Sequence, residues 1–480
     1  MTRFALAALA ALALGGCMVG PNHVDPMPAA PAQDPFVGTA SPAFTGDEPA
    51  GRWWSLFADP ELDALVEQAL THNTDLRVAA ANLRRARAAL RETRSGLLPS
   101  TDITAGATYS QQSAQGPNAF PGAGDPQESY DIGIDVGYQV DLFGRIRRAI
   151  QASRADADSV QAAFDLARVT VAAETTRAYA DACGAGRQLA VARESLRVQE
   201  RTFDLTRRLF EGGRATALDT NQAGSQLDQT RAALPTLEAR RQTALFRLAT
   251  LTGRPPAEFP PAVAACEASP ALAAPIPVGD GAGLLARRPD LRAAERDLAA
   301  ATARVGVATA ALYPSISIGG SVGTTADSPG ALFSGDSLRF SIGPLISWQF
   351  PDIFAARQRV RQAEASADAA LARFDGAWLT ALRETESALT NYARELDRVT
   401  ALTRARDQSA EAARIARLRY QAGRESFQVV LDAERVLAQT DAALAQSEAQ
   451  RSDNLVTLFL ALGGGWQDAP PVVERSIRDP

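Results

Sequence analysis

The amino-acid sequence predicts an α+β membrane protein that arose by tandem duplication and combines very long helices with a few two-faced strands. Three observations predict this class. Matching residues recur at a constant offset in the two halves, two long stretches without proline are rich in helix-forming residues, and short segments alternate apolar and polar side chains. The hydrophobic content of 46% is high enough for a substantial core.

The first residues have the composition of a secretory signal peptide. An early arginine precedes an apolar run over residues 4–14, and small residues follow that run. The ending Leu14-Gly15-Gly16-Cys17 resembles the lipobox of bacterial lipoproteins, which predicts removal of residues 1–16 and attachment of lipid to Cys17. The alternative is an ordinary signal peptide with an incidental cysteine. We expect residues 17–60 to form an extended, lipidated N-terminal segment.

The apolar segments after the signal peptide limit how the chain could cross a membrane. No later segment offers about 20 uninterrupted apolar residues, the length that a membrane-spanning helix needs. Any crossing of a membrane must therefore use strands. Residue 18 is Met and not the Asp that commonly retains such lipoproteins at the inner membrane, which favours the outer membrane.

The duplication appears as two series of matching residues. In the N-terminal arm of each half, an offset of 215 residues pairs Asp75-Leu76-Arg77 with Asp290-Leu291-Arg292. In the C-terminal arm, an offset of 210 residues matches Gly213 with Gly423, Arg214 with Arg424, Glu238 with Glu448, Arg241 with Arg451 and Gly253 with Gly463. We place the repeats at 61–253 and 286–464, with a Pro/Ala-rich linker at 254–285 and a tail at 465–480.

Each repeat has the same predicted order of elements: a helix, two strands around a loop, a long helix, a reversal marked by glycine, and a return helix. The first repeat has strands at about 101–111 and 130–140, a long helix at 145–212 and a return helix at 214–252. The second has strands at about 315–325 and 338–350, a long helix at 355–422 and a return helix at 424–462. At 1.5 Å per residue each long helix would extend about 100 Å.

Heptad spacing indicates what the long helices pack against. Leu189, Leu196, Phe203 and Phe210 recur every seven residues, and Val191, Val198 and Leu205 form a second such series. Positions two residues apart lie about 200° apart around a helix, so the two series form seams on nearly opposite sides. A helix with two seams has a neighbour on each side, which favours a closed ring of helices over a helix sunk in a core.

The alternation in the strands also indicates a closed assembly. Residues 130–140 place apolar side chains on one face and Asp, Gly or Gln on the other, and residues 338–350 alternate in a similar way. Strands of about ten residues with one apolar and one polar face are what a membrane barrel requires. Since known barrels begin at about eight strands, four strands cannot close one. The sequence therefore predicts a barrel assembled from several chains, with the apolar face toward lipid.

The charge pattern argues against nucleic-acid binding, and the cysteine content leaves a disulfide possible. The 49 basic residues are all Arg and are interspersed with 55 acidic residues, so no basic block suggests nucleic-acid binding. Cys183 and Cys266 remain after the signal peptide, and the secretory address places them in an oxidising compartment where they could form a disulfide. The alternative is two buried, unreactive thiols.

Enzyme motifs are absent in the form that chemistry requires. The segment Gly319-Gly320-Ser321-Val322-Gly323 fits a G-x-S-x-G elbow by letter, but that motif needs a strand-to-helix turn and a later His. The sequence has two His, His23 and His72, and both lie upstream. Two His also give no plausible zinc cluster. We expect no catalytic residue, no metal and no cofactor.

Four stretches carry a resemblance to a known family. They are Cys17-Met18-Val19-Gly20-Pro21, Trp53-Trp54-Ser55-Leu56-Phe57-Ala58-Asp59-Pro60-Glu61-Leu62, Arg287-Arg288-Pro289-Asp290-Leu291-Arg292-Ala293-Ala294-Glu295 and Ala461-Leu462-Gly463-Gly464-Gly465-Trp466. On these residues the chain resembles the TolC-like outer-membrane efflux factors, and within them the lipoprotein branch that serves resistance-nodulation-division pumps.

The resemblance implies an assembly and partners. It implies a homotrimer in which each chain gives four transmembrane β-strands to a twelve-stranded barrel and long helical hairpins to a periplasmic α-barrel tunnel. It implies a passive exit duct, anchored in outer-membrane lipid, that works with a periplasmic adaptor (membrane fusion) protein and an inner-membrane pump. Two alternatives remain: a periplasmic coiled-coil scaffold or adaptor lipoprotein, and the exit channel of a type I secretion system.

The resemblance also implies roles for residues near the helix reversals. Members of the family close the tunnel at the hairpin tips, which here contain Gly213-Arg214 and Gly423-Arg424, and the exposed tips dock the adaptor. Asp219 and Tyr420 fall where the family has a gate pair, and Asp432 falls where an acid rings the constriction. The chain departs from the family at two gate positions, where Val429 replaces an acid and Glu425 replaces a base.

Simpler interpretations exist for two of these residues. Asp219 ends a Thr-x-x-Asp segment that suits a capping box at the start of the return helix, and Asp432 could be a solvated helix residue. If three copies of Asp432 did form a ring, they would favour cations at the entrance.

Overall fold

The structure is a computed structural model that describes residues 18–26, 35–111, 113, 115, 124–272, 274–348, 350 and 353–474. Its main elements are α1 (Pro60–His72), α2 (Thr74–Ser95), β1 (Ser100–Ser110), β2 (Gln127–Val140), α3 (Arg145–Glu211), α4 (Ala217–Leu251), α5 (Gly281–Arg287), α6 (Pro289–Ala310), β3 (Ser315–Ala326), β4 (Leu338–Ser347), α7 (Ile353–Gln421) and α8 (Phe427–Leu462). None of the described helices is long and apolar enough to cross a lipid bilayer.

The chain divides into two structural units, and the divisions fall inside four of the helices. One unit comprises residues 1–26, 84–160 and 294–374, and the other comprises 27–83, 161–293 and 375–480. The first unit contains the four-stranded sheet. The second contains the ends of the long helices where the chain reverses, together with the linker between the repeats.

The sheet of the first unit is antiparallel throughout, in the order β1-β2-β3-β4. Its register aligns one apolar row across all four strands, formed by Ile103, Ile134, Val322 and Phe340. These side chains are 41–79% exposed within the single chain. The next row, on the opposite face, contains Asp102, Asp135, Ser321 and Ser341. The alternation in the sequence thus becomes one apolar and one polar face.

The first helix predicted in each repeat is preceded by another helix in the structure: α1 lies before α2 in the first repeat and α5 before α6 in the second. In the first repeat the break is at Asn73, whose side-chain oxygen accepts hydrogen bonds from the backbone N–H groups of Asp75 (2.8 Å) and Leu76 (3.3 Å). Its amide nitrogen donates to the carbonyl of Leu251 (3.0 Å). Asn73 therefore caps the start of α2 and also binds the end of α4. In the second repeat Pro289 begins α6 immediately after Arg288.

Other boundaries differ from the prediction by a few residues. The return helices α4 and α8 begin at Ala217 and Phe427, three residues later than expected, because the turn after each glycine and the N-cap occupy the intervening positions. Strand β2 begins three residues early, at Gln127, and β4 ends at Ser347 instead of residue 350. The linker contains a short helix, Pro261–Ala264, and a strand, Ile276–Pro277, which pairs in parallel with Phe44–Thr45.

An aromatic cluster in the second unit explains the sequence around residues 53–60. Trp53 is fully buried and stacks on Phe459, with ring centroids 4.7 Å apart. Asp59 then caps α1 through the backbone N–H of Glu61 (3.0 Å) and accepts a hydrogen bond from the Tyr179 hydroxyl. Burial, followed by this hydrogen bond, raises the pKa of Tyr179. Residues 53–59 are thereby fixed against α1, α3 and α8.

Candidate functional site

The two reversals between long and return helices have the same backbone geometry. Gly213 and Gly423 have φ values of +69° and +67°, in the left-handed region that favours glycine. At the first reversal the N–H of Arg214 donates to Leu209 (2.7 Å) and that of Gly213 donates to Phe210 (2.9 Å). The second reversal repeats both bonds 210 residues later. Each long helix therefore ends in a Schellman motif. We call residues 209–219 the first tip and residues 419–429 the second tip.

The first tip is reinforced by a capping box. The carboxylate of Asp219 accepts hydrogen bonds from the backbone N–H (2.9 Å) and the hydroxyl (2.7 Å) of Thr216. The backbone N–H of Asp219 donates in return to the Thr216 hydroxyl oxygen (3.2 Å). The capping-box interpretation of Asp219 therefore describes its local contacts. The second tip lacks this device because its N-cap, Ser426, makes no side-chain capping bond and Val429 stands in the position of Asp219.

Tyr420 lies in an apolar cluster at the second tip. Its ring packs 5.8 Å from that of Phe427, within a cluster whose members are Phe203, Ala223, Tyr420, Phe427 and Leu431. Burial, and next the negative charge of Asp219, raise the pKa of Tyr420. The structure thus brings the two sequence-predicted gate residues into electrostatic range within one chain.

Asp432 is paired along its own helix. Its carboxylate lies 2.7 Å from the guanidinium of Arg435 and accepts a hydrogen bond from Gln428 (3.2 Å). The guanidinium of Arg435 offsets the negative charge of Asp432. Three copies of Asp432 would therefore form a less negative ring than unpaired carboxylates would.

Sequence reasoning missed Glu434, a buried carboxylate near the second tip. It is 3% exposed, accepts a hydrogen bond from Thr202 (2.9 Å) on α3 and pairs with Arg417 (3.4 Å) on α7. Burial raises the pKa of Glu434, against the opposing effects of Thr202 and Arg417. A signal was present: Glu434 follows the buried residues Phe427, Val430 and Leu431 at helical spacing, so a charge occupies an apolar stripe.

Cys183 and Cys266 are joined by a disulfide with Cα atoms 4.9 Å apart. The bond links α3 to the linker between the repeats. Gly186 permits this approach, since a Cβ at that position would overlap with the carbonyl oxygen of Cys266. The guanidinium of Arg241 donates to the carbonyls of Ala264 and Cys266, which holds the same linker segment against α4.

The predicted lipid-attachment residue, Cys17, lies outside the described residues, but the segment that follows it is held closely. The Arg148 guanidinium donates to the carbonyls of Val19 (3.0 Å) and Gly20 (2.9 Å). Met18 packs against Gly144, just before α3 begins. Residues 18–20 are therefore docked where β2 passes into α3.

The first structural unit also contains a polar cluster, which the sequence did not predict because its residues are far apart along the chain. His23 Nε2 lies 2.8 Å from a carboxylate oxygen of Glu295 and 3.3 Å from one of Asp25. The three possible ligand atoms lie within 4.8 Å of one another. Arg296 pairs with the other oxygen of Glu295 (2.7 Å), so this carboxylate has both an imidazole and a guanidinium as partners.

The polar face of the sheet carries a second network. Arg339 on β4 contacts Asp131 on β2 through Nη2 (2.6 Å) and Nε (3.1 Å). Thr325 on β3 donates to the same Asp131 oxygen (2.8 Å). Ser321, part of the apparent G-x-S-x-G motif, lies within β3 and hydrogen-bonds Ser341 (2.8 Å). That serine is a strand residue and not a nucleophile elbow.

A family model accounts for most of the chain. The model for outer membrane efflux proteins matches residues 65–254 and 283–464, which are the two halves of the duplication. The chain belongs to the outer membrane efflux protein family. The family membership expected from the sequence is confirmed.

Individual members of the outer membrane efflux protein family match nearly the whole chain. Outer membrane protein OprJ of Pseudomonas aeruginosa is 33% identical over 472 residues, covering 97% of each protein. Nodulation protein T of Rhizobium leguminosarum bv. trifolii is 30% identical over 471 residues, with the same coverage. The solved outer-membrane channel OprN superposes with a TM-score of 0.88 at 38% identity, covering 94% of this chain and all of that one. The α+β channel fold and the outer-membrane location are thereby confirmed.

Proposed function

We propose that this chain is the outer-membrane exit duct of a tripartite efflux system, which conducts substrate passively from a periplasmic adaptor and an inner-membrane pump to the exterior. The observation that carries the proposal is the four-stranded sheet with one apolar and one polar face, joined to helices of 67 and 69 residues in a member of the efflux family.

The duct is a homotrimer in this proposal. Four strands leave β1 and β4 as open edges, and an open edge in lipid leaves backbone N–H and C=O groups without partners. Three chains would give twelve strands, an even number within the range of closed outer-membrane barrels. The number three itself comes from the family resemblance.

Extraction separates this proposal from the scaffold alternative. We expect a heat-stable trimer in detergent extracts of the outer membrane, measured by native mass spectrometry. A coiled-coil scaffold or adaptor lipoprotein would instead leave the membrane as a soluble monomer once its lipid is removed. A soluble monomer would overturn the exit-duct proposal.

The pump is expected to be of the resistance-nodulation-division class. The support is the similarity to OprJ and OprN over almost the full chain. In a host lacking its own exit duct, co-expression with such a pump and its adaptor should restore efflux of a fluorescent pump substrate. Restoration only by an ATP-driven exporter would favour the type I secretion alternative. The transported substrate is set by the pump, because a wide duct touches its cargo weakly.

Asp219 and Tyr420 form the periplasmic gate in this proposal, and Asp432 lines the constriction beside them. The support is the position of Tyr420 in the apolar cluster and its electrostatic coupling to Asp219. Cells with Asp219→Asn or Tyr420→Phe should take up a large dye that the intact outer membrane excludes. The Asn variant retains a side-chain oxygen for the capping box, so it separates the gate from helix capping. Thr216→Ala, which breaks the cap but keeps the carboxylate, is the matched control.

The tips dock the adaptor in this proposal. Arg214 and Arg424 follow the tip glycines, and both arginines are exposed. They offer positive charge to an acidic adaptor surface, so binding should weaken as salt rises. The double substitution Arg214→Glu and Arg424→Glu should reduce cross-linking to the adaptor. The substitution Arg394→Glu changes an exposed arginine on α7 away from the tip and should not reduce it. Equal cross-linking in all variants would remove the tips from the docking site.

Cys17 carries the lipid in this proposal. Its support is the lipobox and the docking of residues 18–20 near the start of α3. Cys17→Ser should abolish incorporation of radiolabelled palmitate, while Cys266→Ser should leave it unchanged. Label that still enters the Cys17 variant would refute the assignment.

A further inference from the structure

Five charged residues lie on the four strands of the sheet, and the register sorts them by face. They are Asp102, Glu128, Asp131, Asp135 and Arg339. Glu128 pairs with Tyr109 on the apolar face, where it accepts a hydrogen bond from Tyr130 (3.0 Å). The other four share the polar face, which therefore carries three acids and one base, a net charge of 1 − 3 = −2 for each chain.

The single base on these strands is fully engaged with one acid. Arg339 gives two hydrogen bonds to one oxygen of Asp131, and its Nε also approaches the hydroxyl oxygen of Thr325 (2.9 Å). The guanidinium crosses above Gly133, where an added Cβ would lie 3.1 Å from Nη2. Glycine at that position leaves the space through which Arg339 reaches from β4 to β2. The pair neutralises Asp131.

The other two acids face each other without a cation. Asp102 and Asp135 are direct partners in the register of β1 and β2. Among the described residues neither has an ion pair or hydrogen-bonded side-chain partner. Like charges placed opposite each other on neighbouring strands destabilise a sheet. The repulsion is weaker in water than in a medium of low dielectric constant, so this arrangement favours a polar face in contact with water.

We propose that the acids on the polar face give the strand-built part of the duct a preference for cations, and that Arg339 limits this preference. This inference rests on the proposed function, in which the polar face lines the lumen. Asp102 and Asp135 from each chain then make the lumen negative, which favours cations over anions, as rings of Asp do in cation channels. Arg339 limits that preference by neutralising Asp131. The paired Asp432 at the periplasmic end contributes less.

Reversal potentials in planar bilayers under a KCl gradient test the assignment. The wild-type duct should prefer K⁺ over Cl⁻. Arg339→Gln adds one unpaired carboxylate per chain and should raise the K⁺/Cl⁻ permeability ratio by roughly twofold. Asp131→Asn leaves an unpaired guanidinium and should lower the ratio by a similar factor. The double variant restores the net charge and should return close to the wild-type ratio, and Arg339→Lys should also retain it.

Matched controls keep the test decisive. Glu128→Gln changes a charge on the apolar face and should leave the ratio unchanged. Asp102→Asn breaks no contact among the described residues and should lower the ratio even if the Arg339 variants fail to assemble. Unchanged ratios in Arg339→Gln and Asp102→Asn, with normal conductance, would overturn the inference and leave the duct intact. Absence of conductance in the wild type would instead overturn the proposed function.

Discussion

The two tips share a turn but differ in how the following helix is secured. Both use a glycine with positive φ and the same pair of Schellman hydrogen bonds. The first tip adds a capping box between Thr216 and Asp219, whereas the second relies on the apolar contact between Tyr420 and Phe427. The duplicated halves thus share the glycine with positive φ that the turn requires, and they differ in the side-chain contacts around it. The first tip is stabilised locally and the second by packing across helices.

A second difference lies farther from the tips. The disulfide between Cys183 and Cys266 ties α3 to the linker, and the second half has no counterpart because residue 393, at the offset of 210, is Ala. The first half therefore carries a covalent constraint and the second does not. The comparison predicts that the halves respond differently to reduction and to changes at their tips.

Loss of the disulfide should produce the largest effect. The bond closes a loop with a sequence separation of 83 residues, so Cys183→Ser should lower stability by about 2–4 kcal/mol through a less constrained unfolded state. Limited proteolysis should cut the linker before the second half is cleaved. Reductant should weaken the wild type and leave the variant unchanged. Equal stability of wild type and variant under oxidising conditions would show that the bond contributes nothing.

The shared turn should respond equally in both halves. Gly213→Ala and Gly423→Ala each force a Cβ into the left-handed region and should each cost about 1 kcal/mol. Hydrogen exchange of the tip amides should accelerate at the altered tip only. Gly212→Ala is the matched control, because its φ is not positive and an added Cβ would make only an ordinary contact, 3.4 Å from the Arg208 carbonyl oxygen. A loss at one tip only would contradict the claim of a common turn.

The caps should respond unequally. Thr216→Ala removes the capping box and should cost about 1 kcal/mol at the first tip. Ser426→Ala at the matching position should have almost no effect, because Ser426 makes no side-chain capping bond. Exchange rates of the first-turn amides in α4 and α8 provide the comparison. Similar losses from both substitutions would show that the second tip is capped after all.

A pH dependence confined to the part of α8 around Glu434, near the second tip, should be the smallest effect. Glu434 has Gly224 as its counterpart in the first half, and burial raises the pKa of Glu434. A raised folded pKa means that its stabilising contribution is complete below the ordinary carboxyl pKa and is lost as pH rises through the folded value. Protection of α8 amides should therefore fall as pH rises through that window, and Glu434→Gln should flatten the slope. A slope that survives the substitution would assign it to another group.

Much of the fold could be predicted from local chemistry. Helix-forming composition and proline-free runs predicted α3 and α7, alternation predicted the two faces of the sheet, and glycine predicted both reversals. The capping role of Asp219 was also visible as Thr-x-x-Asp. The pairing of Asp432 with Arg435 follows from their i, i+3 spacing and could have been anticipated.

The remaining features depend on contacts between distant segments. The link from Glu434 to Thr202 spans 232 residues, and that from His23 to Glu295 spans 272. The pairing of Asp131 with Arg339 needs the register of three strands, and alternation alone does not specify register. Helix α1, before Asn73, was not predicted separately, and the bond from Asn73 to Leu251 spans 178 residues.

Single-channel recording from the purified outer-membrane complex shows whether this chain builds a duct that is closed at its tips. We expect a trimer that inserts into planar bilayers with a low-conductance closed state. Conductance should rise when Asp219→Asn and Tyr420→Phe are combined, because both changes weaken the coupling between the tips. A complex that conducts no ions in either form would contradict the claim that this chain builds a duct closed at its tips.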